Sequence, residues 1–320
     1  MKRVLALSLG LSILPHLAIA DDLKIKAEPI VNFKIGSSEN RFGKLEFIGG
    51  LILTSKHEDF GGISGIRFVK GENFIAVTDK ARVITGRLAR KDGKPHAIKG
   101  EKITRIKAAN GKTITGANDK DAEAIELAGN QFLVGYERND RILRLNLRGR
   151  KLVADGSYHV DLEPYAFPDN KGPEAIALDP NSGKLFAFAE YALNAEGNHK
   201  GFIISGGKVE KELSMKEKNG FSLTDAHFLP DGDLLMLERY FNPFTGPYMR
   251  LRRIEKATLF SNQPLDGEIL VDVDDDFEID NIEGMAISKM DDGGTRITLI
   301  SDDNFSKRQR TVLLEFKLLD

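Results

Sequence analysis

A five-residue pattern recurs five times along this chain, at intervals of 51 to 59 residues. Its second position is always Gly or Ala, and its fifth is always a large apolar residue. The copies occupy residues 64–68, 123–127, 174–178, 225–229 and 283–287. A repeat of roughly 50 residues indicates an array of similar structural units, because one such unit is too small to bury its own apolar face.

Each copy is followed by a turn signal and then by an apolar, strand-like run. The turns Asn181-Ser182-Gly183 and Pro230-Asp231-Gly232 are examples, and they predict that every unit opens with a β-hairpin. A third strand-like run follows in most units, and helical periodicity is hard to find. The repeat therefore predicts an all-β protein, a single β-propeller with blades of four antiparallel strands.

The repeat also predicts the number of blades and how the ring closes. Dividing residues 21–320 by the period favours six blades, with five or seven as alternatives. The last unit is one strand short, whereas residues 23–35 and 44–53 are strand-like and belong to no unit. We therefore expect an N-terminal strand to complete the last blade, because this removes an exposed sheet edge.

The first twenty residues have the three parts of a secretory signal peptide. Lys2 and Arg3 form a positive start, residues 4–14 are apolar, and residues 18–20 are the small-residue site Ala-Ile-Ala. We expect cleavage after Ala20 by a Sec-type pathway. The mature protein is then periplasmic or secreted.

An uncleaved membrane anchor is the alternative interpretation of this segment. Pro15 interrupts the apolar run, which is shorter than the roughly 20 residues that a membrane span needs. We therefore interpret residues 1–20 as the signal peptide and residues 21–320 as one propeller domain. No membrane insertion of the mature chain is expected.

Charge and cysteine content limit the classes of partner, metal site and nucleophile that this chain can have. The 46 basic and 48 acidic residues give a net charge of −2, which argues against nucleic acid as the main partner. The absence of cysteine from the sequence excludes disulfides, thiolate metal sites and a cysteine nucleophile. Any metal site must therefore use oxygen or imidazole ligands. Nothing in the sequence specifies an oligomeric state.

Acidic residues recur at two positions of the repeat. In four units the first strand starts with an acid, and in all five the second strand ends with one. The first group is Glu123, Glu174, Asp225 and Glu283, and the second is Asp79, Glu137, Glu190, Glu238 and Asp302. These two ends of a hairpin lie side by side, and equivalent residues of a circular array form a ring. The pattern therefore predicts a ring of carboxylates at one mouth of the central channel.

Such a ring needs positive charge, because neighbouring carboxylates raise one another's pKa. A divalent cation can supply it, and Ca²⁺ is expected because it prefers carboxylate and carbonyl oxygens. The predicted metal ligands are Glu123, Glu174, Asp225, Glu283 and Asp302. A structural role is the alternative, in which these acids accept backbone hydrogen bonds or pair with arginines that join the blades.

Basic and amide side chains near the ring complete a candidate site for an anionic ester. A cation would activate water there, while arginines would bind phosphate or carboxylate. The candidate catalytic residues are Glu174, Glu283, Arg138 and Arg239. The candidate substrate-binding residues are His199, Arg250, Asn304 and Lys80. The expected partner is a small anionic substrate, such as a phosphate ester.

Several short motifs resemble those of one bacterial family. They lie at residues 61–66, 76–79, 121–125, 135–138, 172–176 and 231–239. The most specific are Asn281-Ile282-Glu283-Gly284 and the Ser-Asp-Asp-Asn-Phe segment at residues 301–305. In these motifs the chain is similar to the phytase-like domain family, described as "esterase-like activity of phytase". The resemblance implies a secreted propeller related to calcium-dependent phytases. Together with the candidate site for an anionic ester, it leads us to expect a hydrolase of phosphoric esters.

Two other functional classes stay open at this point. One is a calcium-dependent lactonase or esterase-like propeller, in which Glu283, Asp302 and Asn304 would hold a single cation. The other is a non-catalytic propeller that binds a ligand or protein in the periplasm. Assays of phosphomonoesters and lactones, with Ca²⁺ and with chelator, separate the three classes.

Overall fold

The computed structural model describes residues 23–165, 167–168 and 171–319. Their regular structure comprises 22 β-strands and two 3-10 turns of three residues each, Glu163–Tyr165 and Lys256–Thr258. The predicted all-β class is confirmed. None of the helical segments in these ranges is long and apolar enough to cross a membrane. The predicted signal peptide lies outside the described residues.

The first four blades are four-stranded antiparallel sheets. The first contains β4 (Ile63–Lys70), β5 (Asn73–Thr78), β6 (Arg82–Lys91) and β7 (Lys94–Arg105). The second contains β8 (Ala122–Ala128), β9 (Gln131–Tyr136), β10 (Arg141–Arg148) and β11 (Lys151–Asp161). The third contains β12 (Pro173–Leu178), β13 (Leu185–Leu193), β14 (His199–Ser205) and β15 (Lys208–Met215). The fourth contains β16 (Ser222–Phe228), β17 (Leu234–Asn242), β18 (Gly246–Ile254) and β19 (Glu268–Val273).

The fifth blade joins the two ends of the chain. Its C-terminal part is β20 (Asn281–Lys289), β21 (Thr295–Asp302) and β22 (Thr311–Leu318). Its N-terminal part is β1 (Ile25–Ile30), β2 (Arg41–Phe42) and β3 (Leu45–Ser55). β3 pairs with β22 as the fourth strand, β1 is added outside it, and β2 pairs with β3. The predicted closure by an N-terminal strand is confirmed.

The predicted count of six blades is wrong, because the propeller has five. Division by the period treated residues 23–62 as the material of one more blade. Those residues instead extend the last blade. Each inner strand contacts the inner strands of both neighbouring blades, so five units close the ring.

Aromatic packing holds the N-terminal segment against the fifth blade. Phe33 is fully buried, and its ring lies 4.9 Å from that of Phe316 and 5.5 Å from that of Phe47. A second connection joins the fifth blade to the first, since Arg90 of β6 donates to the fully buried Glu315 of β22. Both contacts stabilise the closed ring, in addition to the pairing of β3 with β22.

Arg67 lies at the centre of the propeller, where the five inner strands meet. Its guanidinium donates to both carboxylate oxygens of Asp225 at 2.9 Å and approaches Glu126 at 3.3 Å. It also donates to four backbone carbonyl oxygens, those of Ile66, Ile176, Ala226 and Met285. These partners belong to all five inner strands, so a single buried side chain links every blade.

Candidate functional site

Each inner strand has a β-bulge near its first residues. The extra residue has no partner on the second strand, and a bulge of this kind changes the direction in which its side chain points. The extra residues are Ser64, Glu123, Glu174, Thr224 and Glu283. In each blade, the residue two positions before the extra residue lies opposite a position near the end of the second strand. The residues at these five positions are Asp79, Glu137, Glu190, Arg239 and Asp302.

The fourth unit is shifted by one residue from the predicted alignment. The sequence pattern placed Asp225 and Glu238 on the ring, whereas Thr224 and Arg239 occupy those positions. A shift of one residue turns a strand's side chains to its opposite face. Asp225 therefore pairs with Arg67 in the channel, away from the ring, and is not placed as a metal ligand.

Seven carboxylates and one arginine form what we call the mouth cluster. Its members are Asp79, Glu123, Glu137, Glu174, Glu190, Glu283, Asp302 and Arg239. The oxygens of Asp121, Glu123 and Glu137 lie within 4.8 Å of one another, and so do those of Glu137, Glu174 and Glu190. Glu137 is shared by both trios, which bridge the second and third blades.

Arg239 brings a positive charge into the mouth cluster. Its Nη2 lies 3.1 Å from Glu190 Oε1 and 3.3 Å from Glu283 Oε1, and its Nη1 donates to Asn281 Oδ1 at 2.7 Å. Burial opposes ionisation of this guanidinium, yet the carboxylates of Glu283, Glu174 and Glu190 raise its pKa above the ordinary value. Arg239 thus joins three blades at the mouth, and it remains charged.

Burial is the main cause of raised pKa values in the mouth cluster. Burial and the nearby Asp302 raise the pKa of Asp79 to about 7, and burial and Glu190 raise that of Glu137 to about 8. Burial also raises the pKa of Asp302 to about 6. The pKa values of Glu123, Glu174 and Glu283 are well above the ordinary range, first from burial and then from neighbouring carboxylates.

Three further predicted residues lie at the rim of the mouth cluster. Arg138 is 45% exposed and its Nε donates to Asp121, a member of the first trio. Asn304 donates its backbone N–H to Asp302 at 2.6 Å, and Lys80 lies over the ring of Phe305. Arg138 therefore lies beside the first trio, Asn304 lies beside Asp302, and Lys80 directly follows Asp79 of the cluster.

Two predicted substrate-binding residues lie elsewhere. His199 is 1% exposed, and burial lowers its pKa to about 4. It begins β14, where it packs against Tyr191, whereas the sequence suggested an open loop. Arg250 is buried over the ring of Phe221 and donates to Asp272 at 2.7 Å. Neither side chain contacts a mouth-cluster residue in the described part of the chain, because both are enclosed between blades.

A groove beside the mouth cluster was not predicted from the sequence. Its volume is about 720 Å³, and it lies between the fourth and fifth blades. Arg239, Asn281 and Asn304 line it where it meets the cluster, and Phe241 and Phe277 line it elsewhere. Its residues come from strands and loops that are distant in sequence, so no single local motif predicts it. The signal that could have indicated it is Arg239, the one basic residue at a ring position.

A sequence profile of the phytase-like family, described as "esterase-like activity of phytase", matches residues 58–305. The chain belongs to this family. The match includes every residue of the mouth cluster, which agrees with the resemblance drawn from the motifs. A search of curated proteins finds no match.

Solved structures whose fold is similar to that of this chain include two bacterial enzymes. The PQQ-bound aldose sugar dehydrogenase from Streptomyces coelicolor is 12% identical, covers 84% of this chain and 97% of its own, and has a TM-score of 0.42. A gluconolactonase from Xanthomonas campestris is 11% identical, covers 94% and 99%, and has a TM-score of 0.43. Neither similarity bears on the chemistry of this phytase-like protein's site.

We predict that the stability of the ion-free protein falls as the pH rises from 5 to 8. Asp79 and Glu137 have pKa values raised by burial, so the folded state binds protons more tightly than the unfolded state. Their stabilising contribution is complete below pH 4 and is lost as the pH passes 7 to 8. A loss of at least ~1.4 kcal/mol, equivalent to one pKa unit, is expected. Urea unfolding in chelator at pH 5, 6, 7 and 8 measures it, and a flat profile would contradict it.

Proposed function

We propose that this phytase-like protein is a calcium-dependent hydrolase of phosphoric esters that acts on a small anionic substrate at the mouth cluster. The observation that carries the proposal is the pair of carboxylate trios that share Glu137, each with oxygens within 4.8 Å. The proposal includes export, with the signal cleaved after Ala20. In the alternative, the same site hydrolyses a lactone or carboxylic ester, or only binds a ligand.

The donor set suits Ca²⁺. All of its ligand atoms are carboxylate oxygens, which hard cations prefer over nitrogen or sulfur. Asp79 Oδ1 is buried without a hydrogen-bond partner in the described part of the chain, so it is left with an unused lone pair. Among the described residues, the basic groups that form ion pairs with the seven acids are Arg239 and Lys171, so the carboxyl groups outnumber the basic groups. Glu123, Glu137, Glu174 and Glu190 would hold the ion.

A bound Ca²⁺ would supply charge compensation for an anionic substrate and would make a nearby water more acidic. The chain's own residues provide the remaining functions. The Arg239 side chain is 24% exposed and lines the groove beside the cluster, so its positive charge would attract a phosphoryl group. Glu283 positions this arginine and is itself held by Asn281 at 2.7 Å.

Glu174 is the residue best placed to accept a proton from water. It is 8% exposed, and burial raises its pKa well above the ordinary carboxyl value. A carboxylate whose pKa is raised by burial binds a proton more tightly, so it is a stronger base toward water than an exposed carboxylate. Glu174 also belongs to a trio, so water would be held beside it at the cluster.

We expect turnover of phosphomonoesters with Ca²⁺ and its loss in chelator. Glu174→Gln should lower kcat by about 100-fold or more, because it removes both the general base and one of the carboxylates that would hold the ion. The matched control is Glu210→Gln, since Glu210 is exposed on β15, away from the cluster, and pairs with Lys184. A panel of phosphomonoesters and lactones, each assayed with Ca²⁺ and with chelator, gives the measurement.

Phosphomonoester turnover that survives exhaustive chelation would refute the metal-dependent mechanism. Turnover of lactones alone would support the lactonase alternative. If Ca²⁺ binds and no ester is hydrolysed, the protein is a binding propeller.

A further inference from the structure

We propose that the groove between the fourth and fifth blades binds a flat apolar group attached to the anion, so that the preferred ligands are aryl phosphates or aryl phosphonates over polyol phosphates. Hydrolysis of an aryl phosphate in this groove rests on the proposed function, whereas binding of an aryl phosphonate does not. A volume of about 720 Å³ is in the usual range for small-molecule sites and exceeds what a phosphoryl group alone would fill.

The end of the groove beside the mouth cluster is suited to an anion. Arg239 reaches it with a buried Nε that has no acceptor in the described part of the chain. Arg308 also lines the groove, and no carboxylate among the described residues forms an ion pair with it. Arg310 lines it too, but its guanidinium is occupied by Glu278 at 2.8 Å. Arg308 is therefore the lining arginine that is available to pair with an anionic ligand. Arg239, which already pairs with Glu190 and Glu283, adds positive charge at this end.

The rest of the lining includes exposed apolar side chains, together with polar groups such as Asp275. Phe241 is 61% exposed and Ile35 is 58% exposed, although both side chains line a concave site. Phe277 forms a rigid wall, because its ring packs 5.0 Å from Phe33 and 5.4 Å from Phe42. Exposed aromatic and aliphatic groups beside the charged side chains of Arg239 and Arg308 suit a ligand that has one apolar part and one anionic part.

Strand geometry sets the spacing between these two parts. Arg239 and Phe241 are two positions apart on β17, so their side chains leave the same face of the strand. Their Cα atoms are separated by roughly 7 Å at the usual rise of a strand. A phosphoryl group at Arg239 would therefore place a directly attached aryl ring beside Phe241. A polyol phosphate would instead place hydroxyl groups against that apolar wall.

Phenylphosphonate and methylphosphonate test the inference without hydrolysis. They share the anionic head and differ in the apolar group, and neither has an ester bond to cleave. In calorimetric titrations with Ca²⁺ present, phenylphosphonate should bind at least about tenfold tighter, which corresponds to ~1.4 kcal/mol. Phe241→Ala should reduce this ratio to threefold or less.

Phe244→Ala is the matched control, because Phe244 is 95% exposed on the same hairpin and does not line the groove. It should keep the wild-type ratio. Arg308→Gln should weaken both phosphonates about equally, and Lys307→Gln, at the neighbouring position outside the groove, should weaken neither.

The outcomes distinguish this inference from the proposed function. Equal binding of the two phosphonates, or no binding of either, would overturn the aryl site even if simple phosphate esters are hydrolysed. A tenfold preference that depends on Phe241 would support the site even if no ester is turned over. Loss of the preference in Phe244→Ala would also overturn it, because the hairpin tip would then be the contact.

Discussion

Replacing Arg67 with methionine should lower the free energy of unfolding by about 3–5 kcal/mol, the usual cost of leaving a buried charge without its partner. Arg67 is 1% exposed and pairs with Asp225 and Glu126, which are also buried. The substitution removes these pairs and the hydrogen bonds to four carbonyl oxygens. All five inner strands lose a contact at once.

Urea unfolding followed by far-UV circular dichroism measures this loss. Arg87→Met is the matched control, because Arg87 is exposed on β6 of the same blade and should change stability by less than about 0.5 kcal/mol. Burial raises the pKa of Asp225, so this carboxyl can escape its unpaired state by protonation. The loss should therefore be smaller at pH 5 than at pH 8. A stability equal to that of Arg87→Met would show that Arg67 does not hold the ring together.

Adding Ca²⁺ to the chelator-stripped protein should raise its melting temperature, with a stabilisation of about 2.7 kcal/mol at one hundred times Kd. Glu137 is shared by both carboxylate trios, so Glu137→Gln should remove most of this gain. The same variant should be more stable than the wild type in chelator at pH 8. The reason is that one of several mutually repelling carboxylates has become neutral.

Differential scanning calorimetry with and without Ca²⁺ gives both values. Asp276→Asn is the control, because Asp274, Asp275 and Asp276 form a separate exposed acidic trio that could also attract the ion. This variant should keep the wild-type gain. If Asp276→Asn abolishes the gain and Glu137→Gln keeps it, the ion binds the exposed loop. If Ca²⁺ stabilises none of the proteins, the mouth carboxylates are held by Arg239 and Lys171 alone.

The sequence by itself was sufficient to predict the propeller, the five hairpins and the closing N-terminal strand. The reason is that these features depend on local signals, namely turns, alternating apolar runs and their period. Glu123, Glu174, Glu283 and Asp302 could also be placed at one mouth, since equivalent positions of a closed array must lie together. The number of blades was not determined, because strand pairing across the closure does not follow from a period.

Only the tertiary structure decided which side chains of the fourth unit face the mouth. Asp225-Ala226 matches the Glu-Ala pairs of the other units in sequence, yet the bulge selects Thr224 and places Arg239 among the acids. A bulge shifts the register by one residue without a sequence signal strong enough to reveal it, and one residue turns a side chain to the opposite face. The role of Arg67 was hidden for a related reason. The role of a charged residue within an inner strand cannot be predicted from its local sequence, because its partners are oxygens from four other strands that are distant in sequence.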